Sequence, residues 1–276
     1  MPETGTERSA ELAEEIAQYW DARASSYSNG VIDELEATQR AVWTEVLKEN
    51  AASVLTRDAA LLQKTRTLDL GCGPGFFSVL LACMGCEVCA VDGSPEMLAR
   101  ARENVRVAAP HARVDFRQAD LQALPFADDT FDLAVSRNVT WLMQEPEAAY
   151  AEWLRVLRPG GTLLVFDANW YLYLADESID LARHADQDGK SVEEWSSDAI
   201  ATPEQERLCE MIAARLPLTP VLRPDWDLEV LPRLGARKVS ADTDVWLRLW
   251  TEGEKAFYRT SPLFLVKAEK AGPDAR

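Results

Sequence analysis

Three glycines that alternate with other residues could bring the backbone of this chain close to a ligand. Gly71, Gly73 and Gly75 follow a predicted short buried strand, residues 65–70, and precede an apolar segment of helical length, residues 76–84. Because glycine has no Cβ atom, such a turn bends sharply and lets main-chain N–H groups approach a bound molecule. A strand, a glycine turn and a helix in that order form a nucleotide-type binding turn.

Two common nucleotide-binding motifs do not match this turn. The fingerprint of NAD-dependent dehydrogenases requires its third glycine at position 76, which is Phe76 in this chain. A phosphate-binding P-loop requires Gly-Lys-Ser/Thr, and no lysine follows the turn. A glycine turn also occurs in other α/β proteins, so the turn alone does not identify the ligand.

Two acidic residues follow the next predicted strands at positions that suit a nucleoside. Residues 86–92 read as a short strand that ends at Asp92, roughly twenty residues after the turn, where an acid can accept hydrogen bonds from both ribose hydroxyls. Asp120 follows the third strand and can accept a hydrogen bond from an adenine amino group. Between them, Ser94 and Pro95 predict the N-cap and the first residue of a helix.

Several runs of sequence resemble motifs of the class I methyltransferases that depend on S-adenosylmethionine (SAM). Asp69 and the glycine turn form an acid-x-Gly-x-Gly-x-Gly pattern, similar to motif I of that family. Residues 124–132, Leu-Pro-Phe-Ala-Asp-Asp-Thr-Phe-Asp, and residues 152–161, Glu-Trp-Leu-Arg-Val-Leu-Arg-Pro-Gly-Gly, are similar to two later segments. Residues 19–27 are similar to an aromatic–Trp–Asp–x–Arg–Ala–x–x–Tyr segment that closes over SAM and the acceptor in small-molecule methyltransferases.

The resemblance is strong over residues 60–170 and weak over residues 225–270, and it implies an α/β fold. We expect a Rossmann-like sheet of seven strands, mostly parallel with an antiparallel C-terminal strand, with helices on both faces and a helical cap insertion. The expected regions are an N-terminal helical lid at 1–60, a SAM-binding core at 61–170, the cap insertion at 171–224 and the C-terminal completion of the sheet at 225–276.

The N-terminal region is predicted to form two amphipathic helices. Residues 9–20 and 32–47 place apolar side chains at helical spacing, with Ser9 as the first N-cap and a turn at residues 29–30. Trp20 and Tyr27 flank a polar stretch between these two helices. This arrangement favours a lid that closes over the ligands rather than a helix that only packs against the core. Residues 158–161 are expected to form the turn between a helix and the fifth strand.

The resemblance implies a cofactor site around the glycine turn and an acceptor site beside it. The expected cofactor residues are Tyr19, Tyr27, Asp69, Gly71, Cys72, Gly73, Gly75, Asp92, Gly93, Met97, Asp120, Leu121, Arg137 and Asn138. Met97 could instead be an ordinary core residue. The expected acceptor residues are Trp20, Trp141, Asn169, Trp170, Tyr171 and Tyr173. Aromatic walls suit a flat or apolar acceptor and also a cation.

Methyl transfer from SAM is an in-line displacement at the methyl carbon of a sulfonium. Alignment of the nucleophile and exclusion of water dominate such a reaction, and no metal or covalent nucleophile is required. If the acceptor must lose a proton, His184 is a candidate base, although a surface histidine is the simpler interpretation. No catalytic residue is therefore assigned.

We interpret the chain as a SAM-dependent methyltransferase that acts on a small-molecule acceptor under a mobile cover and releases S-adenosylhomocysteine. The alternative is a SAM-binding or partner-binding module without catalysis. Intact Asp69, Asp92 and Asp120 argue against a loss of SAM binding, but they do not exclude a loss of methyl transfer.

The composition limits the classes of molecule that the chain is expected to bind. The chain of 276 residues has a net charge of −17, whereas proteins that bind nucleic acid usually present a basic face. No apolar run reaches the ~18 residues of a membrane span, and residues 1–15 do not resemble a secretory signal, so we expect a cytoplasmic protein. Residues 171–230 carry fourteen acidic against five basic side chains, which indicates a solvated face or a cap that prefers a cationic or neutral acceptor.

Cys83, Cys86 and Cys89 are spaced three residues apart and suggest a metal site. Cys83 should end a helix and Cys89 should lie in the next strand, whereas tetrahedral sites usually take their ligands from loops or hairpins. A cytosolic chain also argues against disulfides. We therefore expect free, buried cysteines that act as small hydrophobic residues, and no metal.

Overall fold

The structure is a computed structural model that describes residues 5–55, 58–187 and 201–272. Its central sheet has seven strands in the order β3-β2-β1-β4-β5-β7-β6. The strands are β1 (Arg66–Leu70), β2 (Glu87–Asp92), β3 (Val114–Gln118), β4 (Phe131–Arg137), β5 (Leu157–Asp167), β6 (Ala236–Asp242) and β7 (Phe264–Lys270). Strands β1 to β5 pair in parallel, and β7 runs antiparallel between β5 and β6. The predicted architecture is confirmed.

Helices pack on both faces of this sheet. Before β1 lie α1 (Gly5–Glu36), α2 (Gln39–Asn50), α3 (Ala52–Leu55) and α4 (Ala59–Leu62). The parallel strands are connected through α5 (Phe76–Cys83), α6 (Pro95–Ala108) and α7 (Pro146–Val156). After β5 come α8 (Glu177–Gln187), α9 (Pro203–Ala213) and α10 (Asp225–Arg233), and β6 leads to α11 (Trp246–Leu249) and α12 (Glu252–Phe257). No described helix is both long and apolar enough to span a membrane.

The sheet separates two hydrophobic cores. Along β4, Leu133 and Val135 belong to one core and Ala134 belongs to the other, because successive side chains of a strand point to opposite faces. Trp43 of α2 is fully buried in the first core, and Trp153 of α7 is fully buried in the second. The second N-terminal helix, α2, therefore forms part of the main body of the fold.

Both predicted N-terminal helices are present, but their predicted boundaries are wrong. The first helix, α1, continues through residues 29–30, where the sequence predicts a turn, and Ser9 lies inside it rather than at its N-cap. The helical break falls at residues 37–38 instead. Val31 and Leu35 are buried in the core, and this burial outweighs the ~1 kcal/mol cost of a glycine within a helix.

The expected turn before β5 also differs. Residues 158–161 lie within β5 as an irregularity in its pairing with β4, where the register shifts between Phe131 and Leu133. By contrast, Ser94 is the N-cap of α6 and Pro95 is its first residue, as the sequence predicts.

Two of the segments that carry the family resemblance, residues 124–132 and 152–161, are bonded to each other. The side chain of Arg155, in the second segment, donates hydrogen bonds to the backbone oxygens of Leu124 and Phe126 in the first segment. It also forms ion pairs with Asp128 and Glu152. The segment 152–161 therefore holds the segment 124–132 in place at the start of β4.

The cysteines lie largely where the sequence places them. Cys83 ends α5 and Cys89 lies in β2. Cys86 and Cys89 are buried and form no disulfide bond, but Cys83 is exposed, so the expectation of burial is wrong for that residue. Cys83 lies where α5 meets α2, and its sulfur accepts a hydrogen bond from Arg40 at 3.1 Å. Within the described ranges, no three acidic, histidine or cysteine side chains form a group that could hold a metal.

Candidate functional site

The glycine turn lies at the carboxyl end of β1, between β2 and β4. Gly71 and Gly75 have φ angles of +63° and +93°, which L-residues rarely adopt. A Cβ atom at Gly71 would lie 2.5 Å from the side chain of Val139, and one at Gly75 would lie 3.2 Å from the backbone of Ala101. Both the conformation and the space therefore require glycine, as in a turn that cradles a ligand.

Asp92 holds this turn from the side. Its carboxylate accepts hydrogen bonds from the backbone N–H groups of Gly73 at 2.8 Å and Ser94 at 2.9 Å. Burial raises the pKa of Asp92 above its ordinary value, although the backbone N–H groups oppose this. A carboxylate has about four acceptor sites, so Asp92 keeps capacity to accept a hydrogen bond from a ligand.

Asp69, the acidic residue before the turn, lies beneath it. The side chain is buried and accepts a hydrogen bond from the hydroxyl of Ser78 in α5 at 2.6 Å. Burial raises the pKa of Asp69 to about 7. In this structure Asp69 ties β1 to α5 and so supports the turn between them.

The Asp69→Asn variant should reduce the pH dependence of stability. The pKa of Asp69 in the folded state lies above its ordinary value of 3.8. Protonated Asp69 therefore stabilises the folded state fully below pH 3.8, and this contribution is lost as the pH rises through about 7. Between pH 5 and pH 7 the expected loss is roughly 2–3 kcal/mol. Urea unfolding at pH 5 and pH 8 should show a larger drop for the wild type than for the variant, whose amide oxygen can still accept from Ser78. Equal drops would contradict the raised pKa.

Buried polar atoms without a partner collect at the carboxyl end of β4. In the described part of the chain, Ser136 Oγ, Arg137 Nε and Asn138 Oδ1 are buried and make no hydrogen bond. Asn138 also has a positive φ angle of +58°. An unsatisfied buried polar group costs ~1–3 kcal/mol, so such groups are rare unless a ligand or water supplies the missing bond. They indicate a binding site next to the glycine turn.

Arg137 is also bonded to the N-terminal helix. Its guanidinium donates to Glu34 of α1 at 2.9 Å and lies 4.7 Å and 4.5 Å from the ring centroids of Trp43 and Phe76. Glu34 accepts a second hydrogen bond, from the indole N–H of Trp43, at 2.8 Å. An expected cofactor residue therefore also anchors the C-terminal half of α1.

The residues expected around adenine lie on the β2–β3 side of the turn. Asp120 is exposed, and its carboxylate accepts the N–H of Gln122 at 2.9 Å. Leu121 and Met97 are buried. Of the remaining expected residues, Cys72 is buried within the turn and Gly93 is exposed after β2.

The middle of α1 lies against the turn and the start of α6. Asp21 accepts a hydrogen bond from the hydroxyl of Ser94 at 2.5 Å. A Cβ atom at Gly73 would lie 3.9 Å from the ring of Tyr27. Ser28 is hydrogen-bonded to α6. A ligand on the glycine turn would therefore be covered by α1.

An aromatic cluster joins α1 to the segment after β5. Tyr171 donates a hydrogen bond to the thiol of Cys209 in α9 at 2.9 Å, and Tyr19 of α1 bonds to the same thiol. Trp141 and Tyr171 pack with ring centroids 4.7 Å apart, and Trp20 packs edge-on against Tyr19 at 5.2 Å. The structure thus brings together four aromatic residues that the sequence analysis assigns to the site.

A small cleft, with a cavity volume of about 10 Å³, lies beside this cluster. Its lining comprises Trp141, Ala168, Asn169, Trp170, Tyr171, Leu172, Leu218, Thr219 and Arg223. Trp170 also contacts Trp250 and Tyr258 from the connection between β6 and β7, with ring centroids 6.5 Å and 5.4 Å apart. That connection carries no motif, so the sequence analysis missed its contribution.

Three expected residues do not line the cleft. Trp20 packs in the aromatic cluster beside it. Tyr173 donates a hydrogen bond to Glu210 of α9 at 2.6 Å, and so links parts of the insertion to each other. His184 is exposed on α8, 3.5 Å from the carboxylate of Asp180. The structure therefore gives no support to His184 as a base.

Comparisons with known proteins identify the family. A family model described as a methyltransferase domain matches residues 68–165. A demethylmenaquinone methyltransferase of Clavibacter sepedonicus is 33% identical over 173 residues, which are 58% of this chain and 68% of that protein. The chain belongs to the class I SAM-dependent methyltransferases. The sheet order with β7 between β5 and β6 is the one expected for the family.

Other relatives of this methyltransferase chain match over shorter portions. A malonyl-[acyl-carrier protein] O-methyltransferase of Enterobacter lignolyticus is 37% identical over 145 residues, which are 51% of this chain and 55% of that protein. The chain spans about half the length of the first curated relatives that it matches. A phosphoethanolamine N-methyltransferase 2 of Haemonchus contortus, solved with SAM, shares the fold at 17% identity and a TM-score of 0.53, over 87% of this chain and 60% of that one.

Proposed function

We propose that this methyltransferase chain binds SAM at the glycine turn and methylates a small-molecule acceptor in the adjacent cleft. One observation carries the proposal. Buried polar atoms without partners at Ser136, Arg137 and Asn138 lie beside a turn in which a Cβ atom at Gly71 or Gly75 would meet a neighbour. The same edge of the sheet thus combines a turn that only glycine fits with buried polar atoms whose hydrogen bonds a ligand or water can complete.

The residues present suit the parts of SAM. Asp92 would accept from the ribose hydroxyls, and Asp120 would accept from the adenine amino group. The groups at Arg137 and Asn138 would face the methionine end. When bound, SAM supplies an electrophilic methyl group on a sulfonium. The protein's task is then to hold the acceptor in line with the methyl–sulfur bond and to exclude water.

The acceptor would lie between Trp141, Trp170 and Tyr171, where the small cleft would widen as the segments around it open. Aromatic walls provide apolar contact area and can also stabilise a cation. We define the cover as α1 together with residues 171–187 and 201–224. Two contacts support this cover. Tyr27 of α1 lies next to the glycine turn, and Tyr19 of α1 and Tyr171 both bond to the thiol of Cys209. Both ligands would enter when this cover opens.

SAM and S-adenosylhomocysteine should each raise the melting temperature, whereas NAD and ATP should not. The Asp92→Ala variant should bind S-adenosylhomocysteine with ~1–3 kcal/mol less free energy, because hydrogen bonds to a charged group are lost. Isothermal titration calorimetry measures this change. Asp242→Ala is a matched control, since Asp242 also ends a strand and accepts a backbone N–H, from Asp244 at 2.9 Å.

Unchanged affinity in the Asp92→Ala variant would remove Asp92 from the site. No stabilisation of the wild type by either ligand would contradict the proposed cofactor. Formation of S-adenosylhomocysteine in the presence of candidate acceptors then separates an active enzyme from a SAM-binding module that lacks transfer.

A further inference from the structure

A buried ionic network borders the cleft. Arg223 is 2% exposed, and it donates to Asp167 at the end of β5 at 2.6 Å. It also donates to both carboxylate oxygens of Asp227 in α10, at 2.7 Å and 2.9 Å. It also donates to the hydroxyl of Tyr150 in α7 at 3.2 Å, and that hydroxyl donates to Asp227. The network therefore joins β5, α7, α10 and the end of the insertion.

Two members of the network, Asp167 and Arg223, bond to walls of the cleft. Asp167 accepts the backbone N–H groups of Trp141 at 3.3 Å and Ala168 at 2.9 Å. The backbone N–H of Arg223 donates to the side-chain oxygen of Asn169 at 3.0 Å, and the amide nitrogen of Asn169 donates back to the Arg223 carbonyl at 2.8 Å. Trp141, Ala168, Asn169 and Arg223 all line the cleft.

Stability alone does not account for this arrangement. The two carboxylates and the guanidinium are at most 2% exposed, and burying charged groups costs several kcal/mol each even when they are paired. Apolar residues of similar size are often equally stabilising. A planar guanidinium, however, fixes its partners in direction as well as in distance. Here it fixes the end of the insertion relative to the end of β5.

We propose that Arg223 is a positioning residue that holds Trp141 and Asn169 in place as walls of the acceptor cleft, independently of the SAM site. The identity of the cleft as the acceptor site rests on the proposed function. In the described ranges, the side chains of Asp167, Arg223 and Asp227 make no direct hydrogen bond to the glycine turn or to Asp92. Loss of the network should therefore loosen the cleft and leave cofactor binding intact.

Hydrogen exchange of the full chain with the Arg223→Met substitution tests this proposal. Amides of residues 139–142, 168–172 and 215–224 should exchange at least tenfold faster than in the wild type, while β1, β2 and the glycine turn should be unchanged. Affinity for S-adenosylhomocysteine, measured by calorimetry, should stay within threefold. The indole N–H resonance of Trp141, assigned by Trp141→Phe, should shift or broaden. Arg223→Lys should restore part of the protection, because it keeps the charge but not the fork of donors.

Arg155→Met is the matched control. Arg155 also bridges two carboxylates, but it joins the segments 124–132 and 152–161 and does not line the cleft. It should leave exchange in the cleft unchanged. If the Arg223→Met variant fails to fold, Tyr150→Phe removes a single hydroxyl and should produce the same pattern with a smaller increase. Uniformly faster exchange, unchanged exchange or a parallel loss of cofactor affinity would each overturn the proposal. Failure of the wild type to bind SAM would contradict the proposed function instead, and would leave the exchange result standing.

Discussion

The Gly75→Ala variant should bind SAM at least tenfold more weakly than the wild type, whereas the Gly85→Ala variant should bind it normally. Both glycines have a φ angle of +93°, so both substitutions place an L-residue at the same unfavourable φ, which costs about 1–2 kcal/mol. A Cβ atom at Gly75 would lie 3.2 Å from both the Cα and the Cβ atoms of Ala101, which is fully buried in α6. At Gly85 such an atom would meet nothing within 4 Å.

The difference between these variants isolates the close approach of the turn to α6. Since backbone cannot yield as a flexible side chain can, the added methyl group should push α6 away from the turn and displace Asp92 and Ser94 with it. Thermal unfolding measures the shared strain, and calorimetry with S-adenosylhomocysteine measures the binding loss that only Gly75→Ala should show. An equal loss of affinity in both variants would mean that strain, and not the shape of the turn, weakens the binding.

Deleting residues 1–30 should leave a folded core that binds SAM more weakly and loses most methyl transfer. The truncated chain keeps Glu34 and Leu35, which attach the end of α1 to the body of the fold. It loses Tyr19, Asp21 and Tyr27, which contact the insertion, α6 and the glycine turn. Without them the site stays open to water, and an open site aligns the acceptor poorly.

Three measurements check this prediction. Circular dichroism and calorimetry report folding and SAM affinity, and the formation of S-adenosylhomocysteine reports turnover with an acceptor that supports activity of the full chain. In the full chain, hydrogen exchange of α1 and of α9 should slow together when both ligands are bound. Normal turnover by the truncated protein, or protection of one segment without the other, would show that the two segments do not form one cover.

The sequence by itself determined the elements whose signals are local. The strand, glycine turn and helix at residues 65–84 follow from neighbouring residues, and so does the helix start at Ser94 and Pro95. Asp92 ends its strand as the spacing predicts, and it reaches the turn because the carboxyl ends of adjacent parallel strands meet at one edge of a sheet. The placement of the cofactor residues in SAM binding stays a prediction.

Only the tertiary structure decided the contacts between distant parts of the chain. Arg137 pairs with Glu34 across 103 positions, and Arg223 pairs with Asp167 across 56. No local pattern marks these partners, and buried charges are uncommon enough that composition does not suggest them. Tertiary packing also decided the length of α1. The helix continues through Asn29-Gly30 because apolar side chains on both sides of this pair are buried. Local propensities amount to about 1 kcal/mol per residue, and packing against the finished sheet exceeds that.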